Sequence, residues 1–225
     1  MMISPEGYYE EHLKGKSKEQ IMTAIRGIKQ EIGRLKNTME DPDYSTNPVM
    51  HPSEDTRLHW TRKYLEIAKQ AYAEAGGTYT LSKAEEKAAD FDANMDAISK
   101  ITFSIGGYFG GYRSYFIELT NDKKSYIKLW EHEETLLLDG NTNEPFTKDA
   151  LLAALKDLHI GEWRRRYSTK RFGYMVLDGT QWALDFEYDN GHKSVKFDGD
   201  NSYPYNFDKF QMLFGIDVTE EDEDE

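Results

Sequence analysis

The chain has 225 residues and carries 28 Lys and Arg against 41 Asp and Glu, a formal charge of −13. It has no cysteine, which excludes disulfides, thiolate metal centres and cysteine nucleophiles, while 13% aromatic residues supply apolar area for a core despite a hydrophobic share of only 38%. The longest apolar runs, such as 136–138, are too short to span a bilayer, and residues 1–7 lack the basic and apolar regions of a signal peptide. A cytoplasmic protein with no membrane partner is therefore expected.

The acidity is unevenly placed. Residues 1–100 and 101–216 each carry 14 bases and 17 acids, whereas residues 217–225 carry seven acids and no base. A like-charge run of that density repels itself, so 217–225 reads as a disordered acidic tail. Its acids, Glu220, Glu221, Asp222 and Glu223 among them, either solubilise the chain or contact a basic partner.

In chain order, residues 1–16 read as a lead-in. Ser17 with Gln20 forms a capping box, and Ile21, Ile25, Ile28, Ile32, Leu35 and Met39 follow on one helical stripe. Gly27 and Gly33 lie inside that helix, each at a cost of about 1 kcal/mol relative to Ala, so close approach of a neighbour is expected there. Residues 41–52 hold three of the six prolines and read as a loop. Ser53 opens a second helix with a stripe at Leu58, Thr61, Leu65, Ala68, Tyr72 and Ala75, stopped by Gly76 and Gly77. The two helices predict an antiparallel hairpin. Ser82 with Glu85 opens a shorter helix to about residue 96, with Ala84, Ala88, Phe91 and Met95 on its buried side.

At Ile101 the period changes from helical to alternating. Strands are predicted at 101–105, 112–120, 125–131, 181–188 and 193–197, the last two joined by a tight turn at Asn190-Gly191. Helices are predicted at 147–158 and 206–214. Strands followed by a helix thus occur twice, and Pro145 to Asp149 parallels Pro204 to Asp208 as proline, aromatic, N-cap, any residue, acid. The expected fold class is α+β: a helical region over 1–98, and over 99–216 an antiparallel-sheet domain of two β-β-α segments.

Five segments, 4–9, 103–112, 158–165, 178–182 and 201–207, resemble a protein family of gut-dwelling Clostridia with no known activity. The resemblance spans nearly the whole chain except the acidic tail. It carries over no catalytic residue, and its association with accessory genes of mobile elements implies an anti-defence or host-interaction role.

Two segments are candidates for chemistry. Gly106, Gly107, Gly110 and Gly111 invite a phosphate-loop reading, but such a loop needs a helix after it, and here a strand follows. Glycines at a sheet bend are the simpler account. Trp163, Arg164, Arg165, Arg166, Lys170 and Arg171 form the most basic stretch, with the interleaved aromatics that single-stranded nucleic acid binding would use. A pI near 5 argues instead for a solvated turn with its rings on the core. The six histidines show no metal-binding spacing, and serines have no nucleophile-elbow context. No metal, cofactor or catalytic residue is expected. The leading expectation is a non-catalytic protein-interaction protein, such as an inhibitor carried by a mobile element. The rivals are a nucleic-acid-binding module or enzyme with a cleft between 106–111 and 163–172, and a structural homo-oligomer subunit.

Overall fold

The computed structural model describes residues 2–44, 52–107, 110–119, 128–131, 134–137, 147–176 and 178–216. The chain is a mixed helix and sheet protein that divides into two compact units, Met1–Leu81 and Ser82–Glu225.

The first unit is helical. α1 (Pro5–Tyr8) opens on Ser4, whose hydroxyl accepts from the Gly7 N–H at 3.0 Å, and runs into a π-helical turn, Tyr9–Leu13. The stretch expected as a lead-in is thus folded, and the Ser-Pro start was a readable helix signal. Tyr64 holds it down: its hydroxyl donates to the Ile3 carbonyl at 2.7 Å, and its ring stacks on Tyr8 at 4.3 Å. α2 (Lys18–Met39) starts at Ser17 with the full capping box and buries Ile21, Ile25, Ile28 and Leu35. α3 (Glu54–Glu74) follows, and Arg57 in its first turn reaches Glu31 in the second half of α2 at 2.8 Å, the neighbourhood an antiparallel hairpin creates.

Two details of the first unit differ from expectation. α3 buries Leu58, Thr61, Tyr64, Ala68 and Ala71, so the stripe passes through Tyr64 and Ala71 while Ala75 is exposed. Residue 64 wins over 65 because its hydroxyl finds both backbone partners of Ile3. Among the described residues, no neighbour approaches Gly27 or Gly33; a Cβ at either would meet nothing within 4 Å.

Among the described residues, the second unit is a seven-stranded sheet with helices. α4 (Lys83–Ala93) has the predicted capping box at Ser82 and Glu85. Its Phe91 and the following Met95 are buried in the sheet's core, with Ala88 half-buried and Ala84 exposed. The division of the chain accordingly falls at 81/82 rather than 98/99. The strands are β1 (Ile98–Gly107), β2 (Gly111–Glu118), β3 (Lys128–Glu131), β4 (Glu134–Leu137), β5 (Arg166–Ser168), β6 (Thr180–Tyr188) and β7 (Val195–Asp200), and the helices α5 (Lys148–Asp157) and α6 (Phe207–Met212). The order β4-β3-β2-β1-β6-β7-β5 puts both predicted β-β-α segments in one sheet, joined by the antiparallel pair β1–β6. The sheet is mixed, because β5 lies parallel to β7, with Arg166 opposite Asp198.

Alternation sorts the covered face into rows. Ile117, Ile101, Phe186 and Val195 form one row; Tyr115, Phe103, Leu184 and Phe197 the next; then Arg113, Ile105, Trp182 and Gly199; and last Gly111, Gly107 and Thr180. The α6 rings Phe207 and Phe210 pack on Phe103 at centroid distances of 6.0 and 5.1 Å, and Phe207 packs on Trp182 at 4.7 Å. Asn206 was expected to cap α6 with its side chain. It forms no such bond. Its Oδ1 accepts from the Trp163 indole N–H at 3.0 Å, and its Nδ2 donates to the Leu158 carbonyl at the end of α5 at 2.7 Å. Thr147, its counterpart in the first segment, does cap α5 by accepting from the Ala150 N–H.

Candidate functional site: a glycine-walled cleft and a basic rim

The glycine cluster is the end of the β1–β2 hairpin. Gly106 and Gly107 close β1, Gly111 opens β2, and Gly107 sits opposite Gly111. Strand follows strand, so the glycines do not lead into a helix N-terminus and the phosphate-loop reading fails on topology. Gly111 has φ +75°, which favours glycine, and a Cβ at Gly106 would strike the Gly111 carbonyl and the Tyr112 Cα. These two positions explain why the hairpin ends in glycine.

Their consequence is a cleft of about 420 Å³. On the covered face the outermost row has two glycines and a threonine where inner rows have rings and branched chains, so the space beneath the start of α6 stays open. Gly106, Gly107, Gly110 and Gly111 all line it, together with Arg113, Thr180, Tyr203, Asp208 and Gln211. Ile105, Phe207 and Ile216 supply its apolar lining. None of the latter residues was a sequence-based candidate. The signal that could have found Arg113 is its position two residues after Gly111, on the same face of a strand.

The basic segment is split by its own fold. Trp163 and Tyr167 point into the core, where Tyr167 is one of the largest fully buried side chains and its hydroxyl accepts from the Arg164 N–H at 3.0 Å. Arg165 is half-buried with its guanidinium 4.6 Å from the centre of the Phe197 ring. Among the described residues, its Nη1 and the nearby Tyr188 hydroxyl are buried without hydrogen-bond partners. Burial pulls the Arg165 guanidinium below its usual range and pushes the Tyr188 phenol up to about 12, against the smaller opposing pull of the Arg165 charge. Arg164, Arg166, Lys170 and Arg171 remain exposed. Arg166 lies 3.5 Å from Asp198, and Arg171 covers the Phe172 ring at 4.4 Å. Next along the chain, Tyr174 and Met175 are 44% and 63% exposed.

The cleft's lining includes no residue of 163–172. Ser168 at the end of β5 is level with Asp200, and Thr180 is level with Gly107, so both segments sit at the same end of the sheet. The intervening strands separate them by roughly 15–20 Å at a strand spacing of about 4.8 Å. The single cleft expected between the two segments is therefore not formed by these residues. The acidic residues Glu220, Glu221, Asp222 and Glu223 lie outside the described residues. Among the described residues, no helix is long and apolar enough to cross a membrane.

The fold and the site define an α+β protein with a mixed sheet, a glycine-walled cleft and a cationic rim. Compared with protein-family models, curated proteins and solved structures, the chain matches none of them.

Proposed function

We propose that this protein acts by binding another protein, without catalysis, through the rim formed by Arg164, Arg166, Lys170, Arg171, Tyr174 and Met175. The observation that carries this reading is the exposure of Tyr174 and Met175 directly after a cluster of exposed cations. Arg, Tyr and Met are the residue types enriched at protein interfaces, and an apolar centre beside polar charge is the usual anatomy of one. The preferred partner surface is acidic. The likeness to a family associated with mobile elements supports an inhibitory sense for the interaction.

The nucleic-acid alternative is weaker for a specific reason. Stacking on successive bases needs several free ring faces, and with Trp163 and Tyr167 committed to the core and Arg171 over the Phe172 ring, Tyr174 is the exposed ring left among them.

The test is a photo-crosslinking side chain placed at Met175, with the same group at Met212 as the control position. One protein partner captured at 175 and absent at 212 is the expected result. Reversing the four exposed cations to Glu should reduce that capture by tenfold or more, on the order of what losing several rim charges does to association, with unchanged circular dichroism. Capture of nucleic acid, or equal labelling from both positions, contradicts the proposal.

A further inference from the structure

The geometry points to the glycine-walled cleft as a binding site for a small molecule that joins a planar ring to a single anionic group, the class a nucleoside monophosphate or an aromatic carboxylate represents. The cleft is built by the sheet itself. Rows of the covered face stay bulky through Tyr115, Phe103 and Leu184 and through Arg113, Ile105 and Trp182, and drop to Gly111, Gly107 and Thr180 in the last. α6 fills the space over the first of these rows with Phe207 and Phe210 and leaves the last one open. The resulting volume of about 420 Å³ falls within the range of small-ligand sites.

Its chemistry is specific. Ile105, Phe207 and Ile216 offer an apolar seat, and the Tyr203 ring, 5.0 Å from that of Phe207, adds an aromatic wall. Arg113 is the cation of the lining, and its guanidinium has five donors, so it can receive an anion alongside any protein partner. Asp208 and Gln211 accept hydrogen bonds from ligand hydroxyl or amino groups, and Thr180 adds a hydroxyl. One Arg and one Asp set the charge limit. A single anionic group meets Arg113, whereas each further anionic group is placed beside the Asp208 carboxylate with no second cation among the described lining residues. This selects one phosphate or carboxylate over a di- or triphosphate.

The experiment is an amide-resolved NMR titration of the full chain with adenosine monophosphate and, separately, 4-hydroxyphenylacetate. Parallel arms use adenosine, inorganic phosphate and adenosine triphosphate. Saturable shifts at Gly106, Gly107, Gly110 and Gly111 with either ring-bearing anion are expected, and which of the two binds identifies the anion. Adenosine and phosphate alone should bind at least about tenfold more weakly, because each lacks one half of the recognised chemistry. Arg113→Gln should cost about tenfold or more, as loss of a charge-assisted hydrogen bond does. Gly110→Leu is the second variant: among the described residues a Cβ there meets nothing within 4 Å, and unchanged circular dichroism checks that the fold is kept while the mouth is filled. No saturable shift with either ring-bearing anion overturns the inference. So does binding indifferent to both variants, or tighter binding of the triphosphate.

Discussion

At the scale of single residues, Asn206 shows how one side chain can organise a domain. It is 8% exposed and serves two partners at once, the Trp163 indole N–H and the carbonyl at the end of α5. Replacing it by Ala leaves the indole N–H without its acceptor inside the core. Leaving such a group unpaired costs about 1–3 kcal/mol, and the expected loss for Asn206→Ala is near the top of that range because two bonds go together. Urea unfolding of the variant measures it; a change below about 0.5 kcal/mol would mean the core finds other partners for both groups. The sequence marked Asn206 as a helix start and could not show that its side chain would turn away from its own helix. The competing partners are 43 and 48 residues away.

At the scale of elements, capping chemistry was legible because it is local. Ser17 with Gln20, Ser53, Ser82 with Glu85, and Thr147 all start the helices they were expected to start. The cost of the two glycines of α2 predicts close packing, yet among the described residues both Cβ positions are open. Gly27→Ala and Gly33→Ala are therefore expected to stabilise the protein by about 1 kcal/mol each, the helix-propensity difference, with additive shifts of the urea midpoint. Destabilisation by either would mean that something else packs on that face of α2. β5 was missed altogether: three residues give too short a pattern for alternation, and its pairing with β7 is parallel and non-local. The basic stretch that flanks β5 consequently looked like one patch, although the fold turns Trp163 and Tyr167 inward and half-buries Arg165.

At the scale of the whole molecule, the two units draw their cores from separate parts of the chain. One cluster gathers Leu13, Ile21, Ile25, Ile28, Tyr64, Ala68 and Ala71; the other begins at Phe91 and runs to Phe214. A chain of residues 82–225 is expected to fold by itself, with a cooperative thermal transition and ordered near-ultraviolet signals from Trp163 and Trp182. A broad transition without those signals would show that the sheet unit depends on the helical one. The cores being separate also accounts for where the division falls. α4 resembles α2 and α3 in pattern, but its Phe91 packs on Phe186 and Phe197 of the sheet at 5.1 and 6.3 Å. Periodicity reports that a helix has an apolar face and is silent about which core receives it.

The sequence by itself determined the α+β class, the helical hairpin, the starts of α2 to α5, the two-fold recurrence of strands and helix, and the glycine cluster as an interruption of the strands. Those features rest on interactions within a few residues: caps, turns and the periods 3.6 and 2. Only the tertiary structure decided that the two segments share a sheet through β1 and β6, that β5 joins it in parallel, and that Arg113, Thr180, Tyr203 and Asp208 meet at one cleft. Those residues are up to 95 positions apart in the chain, and strand register together with the missing side chains of Gly107 and Gly111 brings them together. Register is a property of paired strands, which no single stretch of sequence carries.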